Sequence, residues 1–263
     1  MTTVKEILDY VSHAIGKPLD DEEGVRHGPA ADRAVTGATV CWMAAPEAIA
    51  AAAAAGHELL IGHESLYFPY NAHDPATPPA GWYDWQTNRQ RRELLDRHGL
   101  TYARLHWSLD ALTILEDFAL RLELGAPVYD DRLVRVYEIP PCTVGDLVAR
   151  AKSAFAMPAL RVSAPRGLDQ VVHRVGLPWG GLGLFVNVGY QQNLIDQGCD
   201  VFIAGESDNY GFRFSAELGI AMIETSHEVS ENPGLRRAVD ILAAAFPDVD
   251  FRFHELPCVW EMR

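Results

Sequence analysis

Cysteine is scarce in this chain of 263 residues and thinly spread. The four cysteines are Cys41, Cys142, Cys199 and Cys258, and no two of them form a Cys-x-x-Cys pair. Such spacing argues against a disulfide framework and against a thiolate zinc site. We therefore expect a protein of the reducing cytoplasm.

Long apolar runs and an excess of positive charge are also missing. No apolar stretch approaches the roughly 18 residues of a membrane-spanning helix, and the alanine tract Ala48–Ala55 is short. Lys and Arg number 22 against 36 Asp and Glu, which gives a formal charge of −14. This balance argues against nucleic acid and against an anionic membrane surface as partners. The N-terminal stretch has apolar residues at helical spacing, which predicts an amphipathic helix rather than a targeting signal.

Short apolar runs alternate with helical patterns through most of the chain. Strands are predicted at Val35–Met43, Leu59–Gly62 and Tyr102–Leu105, with helices between them. This alternation is typical of an α/β fold with mostly parallel sheets. A second run of elements begins near Pro127, so we expect a first lobe over 1–126 and a second over 127–263, whose C-terminal part is able to pack back on the first. Pro233 is placed in the first turn of a helix, where proline is common.

Histidines and carboxylates follow the predicted strands. In open α/β sheets, ligands bind outside the carboxyl ends of the strands. Imidazole and carboxylate are the usual ligands of divalent metals when thiolates are absent. The residues at these ends are His63, Glu64, His106, Asp110, His227, Glu228 and Glu231.

Each of these features taken alone has a plainer explanation. Asp110 is placed as an N-cap for the helix that follows it. His227 and Glu231 are four residues apart and would form an ordinary surface pair on a helix. The glycine-rich turn Gly180–Gly183 either binds phosphate or only reverses the chain. It does not follow the Gly-x-Gly-x-x-Gly pattern of dinucleotide-binding oxidoreductases.

Three blocks of sequence resemble the NIF-three-like proteins, also called dinuclear-metal-centre proteins or GTP cyclohydrolase I type 2 homologues. The first block is Leu59–Phe68, LLIGHESLYF, and the second is Leu105–Ala111, LHWSLDA. The third begins at Arg174 and includes the glycine-rich turn, then CDVFIAGESDNYG and ETSHEVSENPG. The resemblance covers nearly the whole chain in order.

The resemblance implies two α/β lobes with mixed, mostly parallel sheets, a metal site in the cleft between them, and a toroidal homohexamer. It places metal ligands at His63, Asp110, His227 and Glu231, and puts Glu64 where the family has a second histidine. A carboxylate there still ligates, so the resemblance implies one or two divalent ions: Zn, Mn, Fe or Mg. The exchange of nitrogen for oxygen makes Mn, Fe or Mg more plausible relative to Zn.

Two functions share these ligands. The first is a metal-dependent hydrolase that acts on a small cyclic amide, nucleotide or heterocyclic substrate, with His106 and Glu228 as candidate acid–base residues. The alternative is a non-catalytic metal-binding scaffold or regulatory protein in which the hexameric ring is an assembly platform. An open coordination position beside a pocket lined by Tyr67, Trp107 and Trp179 would favour the enzyme.

Overall fold

The structure is a computed structural model that describes residues 1–69 and 79–261. The strands are β1 Gly24–His27, β2 Gly37–Cys41, β3 Leu59–Gly62, β4 Thr101–Arg104, β5 Pro127–Asp131, β6 Val134–Thr143, β7 Arg161–Ser163, β8 Val171–Gly176, β9 Val201–Ala204, β10 Ala221–Glu224 and β11 Asp250–His254. The α-helices are α1 Val4–Ala14, α2 Pro46–Ala54, α3 Gln86–His98, α4 Trp107–Leu109, α5 Leu115–Arg121, α6 Val144–Ala154, α7 Val188–Asp196, α8 Asn209–Ala216 and α9 His227–Ala245. Within the described ranges, no helix has the length and apolar character needed to cross a membrane.

The chain divides into two compact units. The first comprises Met1–Thr113 and Gly234–Leu256, and the second comprises Ile114–Pro233 and Pro257–Arg263. The boundary that the sequence suggests, between residues 126 and 127, stays a prediction about where an independently folding domain would end.

The first unit is built on a five-stranded sheet in the order β1-β4-β3-β2-β11. The pairs from β4 to β11 are parallel, and β1 joins β4 in the antiparallel sense. Every residue of β2, β3 and β4 is buried, which is the pattern of a central parallel strand covered on both faces. Burial of each large aliphatic side chain in such a core contributes about 1.5–3 kcal/mol.

The second unit is built on a six-stranded sheet in the order β5-β6-β8-β9-β10-β7. The β8–β9 and β9–β10 pairs are parallel, and the pairs toward both edges are antiparallel. Two sheets of mixed strand direction, each with helices, confirm the predicted α/β class.

The helix that the sequence predicts at Pro233 begins earlier in the chain than expected. Pro233 lies inside α9 rather than in its first turn, because α9 begins six residues earlier, at His227. The preference of proline for a first turn therefore gave a wrong start. The earlier start has a consequence for the site, since it places His227 and Glu231 one helical turn apart.

The helices α1 and α6 begin with the same reciprocal cap, in which a threonine and an acidic residue three positions later bond each other. Thr143 caps α6 and bonds Asp146, while Thr3 caps α1 and bonds Glu6. The hydrogen bonds from the Thr143 hydroxyl and backbone lower the pKa of Asp146, and those from Thr3 lower the pKa of Glu6. Because a lowered pKa favours the ionised carboxylate in the folded chain, this contribution to stability is lost as pH falls through the carboxyl range.

We predict that Thr143→Ala raises the pKa of Asp146 toward its ordinary value, because the hydroxyl is the largest cause of the shift. Carboxyl titration by NMR measures it. The pKa of Glu6 is the internal control and should not move, since its own cap remains. An unchanged pKa of Asp146 in Thr143→Ala would contradict this explanation.

Candidate metal centre

His63 and Glu64 lie in a buried turn directly after β3. The backbone N–H groups of both residues donate to one carbonyl, that of Trp42, at 3.0 and 2.7 Å. Consecutive residues of a regular strand do not share an acceptor in this way, so the chain has left the strand at this point. Both residues are almost fully buried.

Gly62 precedes this turn because a side chain there would meet Tyr102. A Cβ built on Gly62 would collide with the Tyr102 ring and hydroxyl. The Tyr102 hydroxyl in turn donates to the Glu64 carbonyl at 2.7 Å. The glycine therefore makes room for a buried tyrosine that holds the ligand turn.

His106 and Asp110 lie on the turn that follows β4. The Asp110 N–H donates to the His106 carbonyl at 3.1 Å, so helical structure begins at Trp107 and continues through a π turn over Asp110–Ile114. The plainer alternative for Asp110, an N-cap, is therefore wrong, because Asp110 lies inside the helical run.

In the first unit the predicted residues come together. His63, His106 and Asp110 each offer one ligand atom, and these atoms lie within 4.8 Å of one another. His63 Nε2 is 3.8 Å from Asp110 Oδ1, and His106 Nε2 is 3.9 Å from Glu64 Oε1. The two imidazole rings are 4.7 Å apart between centroids.

The His63 ring is oriented by the backbone. Its Nδ1 lies 3.2 Å from the Leu105 carbonyl, and because a carbonyl only accepts, Nδ1 carries the proton in this contact. In the neutral ring the lone pair is then on Nε2, the atom that faces Asp110. A histidine with one nitrogen on a protein oxygen and the other presented to a metal is the usual arrangement of a metal ligand.

The second unit presents a similar arrangement around His227. Its Nδ1 is 3.0 Å from Glu206 Oε2, and its Nε2 is 3.3 Å from Glu231 Oε1. Glu231 is nearly fully buried, and His227 is partly exposed. Glu206 therefore orients the imidazole so that Nε2 faces the Glu231 carboxylate, one helical turn further along α9.

The glycine-rich turn lies against these two candidate ligands. Gly180 has a φ of 51°, and a Cβ there would collide with Glu231 Oε1 and lie 3.1 Å from His227 Nε2. The Gly180 N–H donates to the Ser230 hydroxyl at 3.0 Å. These contacts explain the glycine without phosphate: it leaves space for a carboxylate and an imidazole.

The Glu228 carboxylate bonds a side chain that lies just before α9. Its Oε2 accepts a hydrogen bond of 2.7 Å from the Ser226 hydroxyl, and no described residue donates to its buried Oε1. Ser226 has a φ of 84°, in the left-handed region that favours glycine. A serine in this conformation has a backbone cost of about 1–2 kcal/mol.

The three aromatic residues predicted to line a pocket have protein neighbours. The Lys17 ammonium lies 3.1 Å from the centroid of the Trp107 ring. Trp179 packs edge-on against Tyr190, and Tyr67 packs against Trp82. Whether they also contact a substrate stays a prediction.

The thiols take no part in these ligand sets. All four cysteines are free. Cys41 is buried and donates to the Met43 carbonyl at 3.2 Å, and burial raises the pKa of its thiol far above the neutral range. Burial likewise raises the pKa of Cys199 to about 12. Only the thiolate is a strong metal ligand, and the candidate metal-binding groups found among the described residues contain no cysteine, so nitrogen and oxygen donors remain.

The donor sets fit a divalent ion. Ligand atoms bound at ~2.0–2.2 Å to one ion lie at most ~4.4 Å apart. The pairs His63–Asp110 at 3.8 Å and His227–Glu231 at 3.3 Å satisfy this limit. Each pair combines an imidazole with a carboxylate, a mixture that suits Zn, Mn and Fe.

The sequence alone did not identify the residues whose side chains bond the backbone of the candidate ligands. Tyr102 and Arg104 of β4 are fully buried and bond the backbone of Glu64 and His63. An arginine inside a short apolar strand is the signal that indicates a buried polar contact. Glu23 and Ser230 gave no comparable signal, because nothing in their local pattern shows what they contact.

Comparisons with known proteins agree with this fold. The model of the Duf34/NIF3 (NGG1p interacting factor 3) family matches residues 2–258. A Neisseria meningitidis protein named GTP cyclohydrolase 1 type 2 homolog is 24% identical over 199 residues, which is 72% of each chain. The solved structure of protein ybgI, of unknown function, superposes with a TM-score of 0.79 at 19% identity over 98% of this chain and 99% of that one. A Bacillus cereus protein related to NIF3 gives a TM-score of 0.77 at 14% identity, over 99% of both chains.

These matches define the chain first as an α/β protein of the fold shared by these solved structures. Because the family model spans nearly the whole sequence, the chain belongs to the DUF34/NIF3 family, and the resemblance noted from its three sequence blocks is confirmed.

We predict that Gly180→Ala destabilises the chain by about 1–3 kcal/mol, because the added methyl overpacks the Glu231 carboxylate and strains a left-handed backbone. Urea unfolding measures it. Gly189→Ala is the matched control: Gly189 lies in α7 with open space at its Cβ, so alanine should be neutral or stabilising by about 0.5–1 kcal/mol. Equal stability of Gly180→Ala and wild type would show that the turn accommodates a Cβ at this position, and would contradict the prediction.

Proposed function

We propose that this chain is a metal-dependent hydrolase whose ligands to one or two divalent ions are His63, Glu64, Asp110, His227 and Glu231. The observation that carries the proposal is the group His63, His106 and Asp110, whose ligand atoms lie within 4.8 Å of one another. His63 and His227 each hold Nδ1 on a protein oxygen and turn Nε2 toward a carboxylate. This arrangement is the usual one for metal ligands. His27 and His57 have similar contacts on both ring nitrogens, so the orientation supports the proposal together with the group around His63 and not by itself.

The proposed chemistry divides between the ion and the chain. Lewis acidity is what a bound divalent ion supplies, and it brings the pKa of a coordinated water from 15.7 toward roughly 7. The side chains then handle protons. His106 is about a quarter exposed and is the candidate to accept the proton of the attacking water. The same proton then passes to the leaving group, and Glu228, with one oxygen held by Ser226, is the alternative candidate to carry it.

The proposed substrate is a small cyclic amide, nucleotide or heterocycle. The name of the Neisseria relative, GTP cyclohydrolase 1 type 2 homolog, supports including nucleoside triphosphates among the compounds to test. The scaffold alternative predicts bound metal without turnover, so metal content and turnover must be measured on the same preparation.

The first test removes a ligand. We expect chelator-free preparations to carry near-stoichiometric divalent metal and to hydrolyse a member of a panel of nucleoside triphosphates and cyclic amides. His227→Ala should lose most of the metal and the turnover, because a small ligand set tolerates the loss of one member poorly. His98→Ala, which changes an exposed residue at the end of α3, is the control. Wild-type metal content in His227→Ala, measured by elemental analysis, would remove His227 from the ligand set.

The second test addresses the departure at position 64. Glu64→His, which restores the family pair, should keep metal and shift preference toward Zn over Mn, because nitrogen replaces oxygen. Glu64→Ala should lose one ion of a two-ion site. Elemental analysis and competition between Zn and Mn measure both effects, with Glu93→Ala on the exposed face of α3 as control. Unchanged metal count and identity in Glu64→Ala would make Glu64 a bystander.

The third test concerns assembly. We propose a closed homohexamer, as the family resemblance implies, so analytical ultracentrifugation should give about six times the chain mass of 29.0 kDa. Closed rings of identical subunits have a defined upper size, so the mass should not grow with concentration. A clean monomer at micromolar concentration would contradict the ring.

A further inference from the structure

Glu23 is a buried carboxylate whose two oxygens both bond backbone N–H groups. It lies directly before β1 and is 7% exposed. Its Oε1 accepts from the N–H of His106 at 2.7 Å and from that of Ser108 at 2.9 Å. Its Oε2 lies 3.3 Å from the N–H of Asp20. Glu23 therefore ties the segment before β1 to the turn after β4.

The two N–H groups that Oε1 holds belong to the start of the helical run that carries Asp110. N–H groups in a first helical turn have no partner within the helix, and Ser108 is fully buried, so water does not replace Glu23 there. The turn is short, with His106 at its beginning and Asp110 three residues after Trp107. A carboxylate that fixes its first N–H groups therefore limits the movement of both side chains.

The neighbouring residue Glu22 reaches the other ligand turn. Its Oε2 is 2.9 Å from Arg104 Nη1, and Arg104 Nε donates to the His63 carbonyl at 3.2 Å. Antiparallel pairing of Gly24 with Arg104 brings the two segments together. One short acidic stretch thus braces the backbone of His63 through Arg104 and that of His106 directly.

We infer that Glu23 is a positioning residue for the metal ligands of the first unit. Its carboxylate holds the His106 and Ser108 amides so that His106 and Asp110 keep facing His63. The inference rests on the proposed function, because it concerns affinity for a divalent ion. Loss of a residue that orients metal ligands lowers metal affinity by about 10–100-fold.

The experiment measures Mn²⁺ and Zn²⁺ dissociation constants of the full chain by calorimetry. Glu23→Gln keeps an oxygen in reach of both N–H groups and should bind within about threefold of wild type. Glu23→Asp keeps the charge but is one methylene shorter, and should bind about 10–100-fold more weakly, as should Glu23→Ala. If the alanine variant does not fold, the Gln and Asp variants still decide the question.

The matched control is Glu58→Ala. Glu58 also accepts from two backbone N–H groups, those of Thr36 and Gly37, at 3.0 and 3.1 Å, but it touches neither ligand turn. It should lower the melting temperature and leave the metal dissociation constants unchanged. A similar loss of affinity in Glu58→Ala would mean that any destabilisation weakens binding, and would overturn the inference.

Two further results separate this inference from the proposed function. If wild type binds metal and Glu23→Asp binds equally well, the inference fails and the proposed function stands. If wild type binds neither metal, the proposed function fails, and hydrogen exchange decides the role of Glu23. The amides of His106 and Ser108 should exchange slowly in wild type and faster in Glu23→Asp, and equal rates would overturn the inference.

Discussion

The parallel pairing of β3 with β4 is the constraint on which the candidate ligand set of the first unit depends. The register places Gly62 opposite Arg104, so the two strands end at the same level of the sheet. The ladder continues for one more bond, from the Leu105 N–H to the Gly62 carbonyl at 3.0 Å. His63 and His106 follow at once, and the Leu105 carbonyl is then in place to orient the His63 ring.

Buried polar groups at this edge of the sheet are hydrogen-bonded to the backbone. A guanidinium or hydroxyl removed from water is costly unless its hydrogen bonds are restored. In β4 they are restored on the ligand turns themselves: Arg104 bonds the His63 carbonyl and Tyr102 the Glu64 carbonyl. Tyr102 and Arg104 thus satisfy their buried polar groups by bonding the backbone of the candidate ligands Glu64 and His63. A substitution in β4 is therefore expected to affect the turn at His63.

In the second unit, available space is the corresponding constraint. A Cβ on Gly180 would occupy the position of the Glu231 carboxylate, and one on Gly205 would collide with the Gly180 backbone. Glycine at these positions lets the turn pack closely on the first turn of α9. Ser226, just before α9, is the opposite case. It is not glycine although its backbone is in the left-handed region, and its hydroxyl bonds the Glu228 carboxylate.

The sequence by itself determined the α/β class and the residue types of the candidate site. Hydrophobic periodicity and position at the end of a strand are properties of short segments of sequence. A resemblance in three blocks gave the family. The site remains a prediction, with the candidates His63, Glu64, His106, Asp110, His227, Glu228 and Glu231. The sequence could not decide that α9 begins at His227 or that Asp110 lies inside a helical run, since proline and aspartate have strong local preferences that packing overrode. Only the tertiary structure decided which nitrogen of each histidine faces a carboxylate, and that Glu23 supports the turn at His106. Those facts depend on contacts between residues far apart in the chain, such as the 83 positions between Glu23 and His106, which no local pattern encodes.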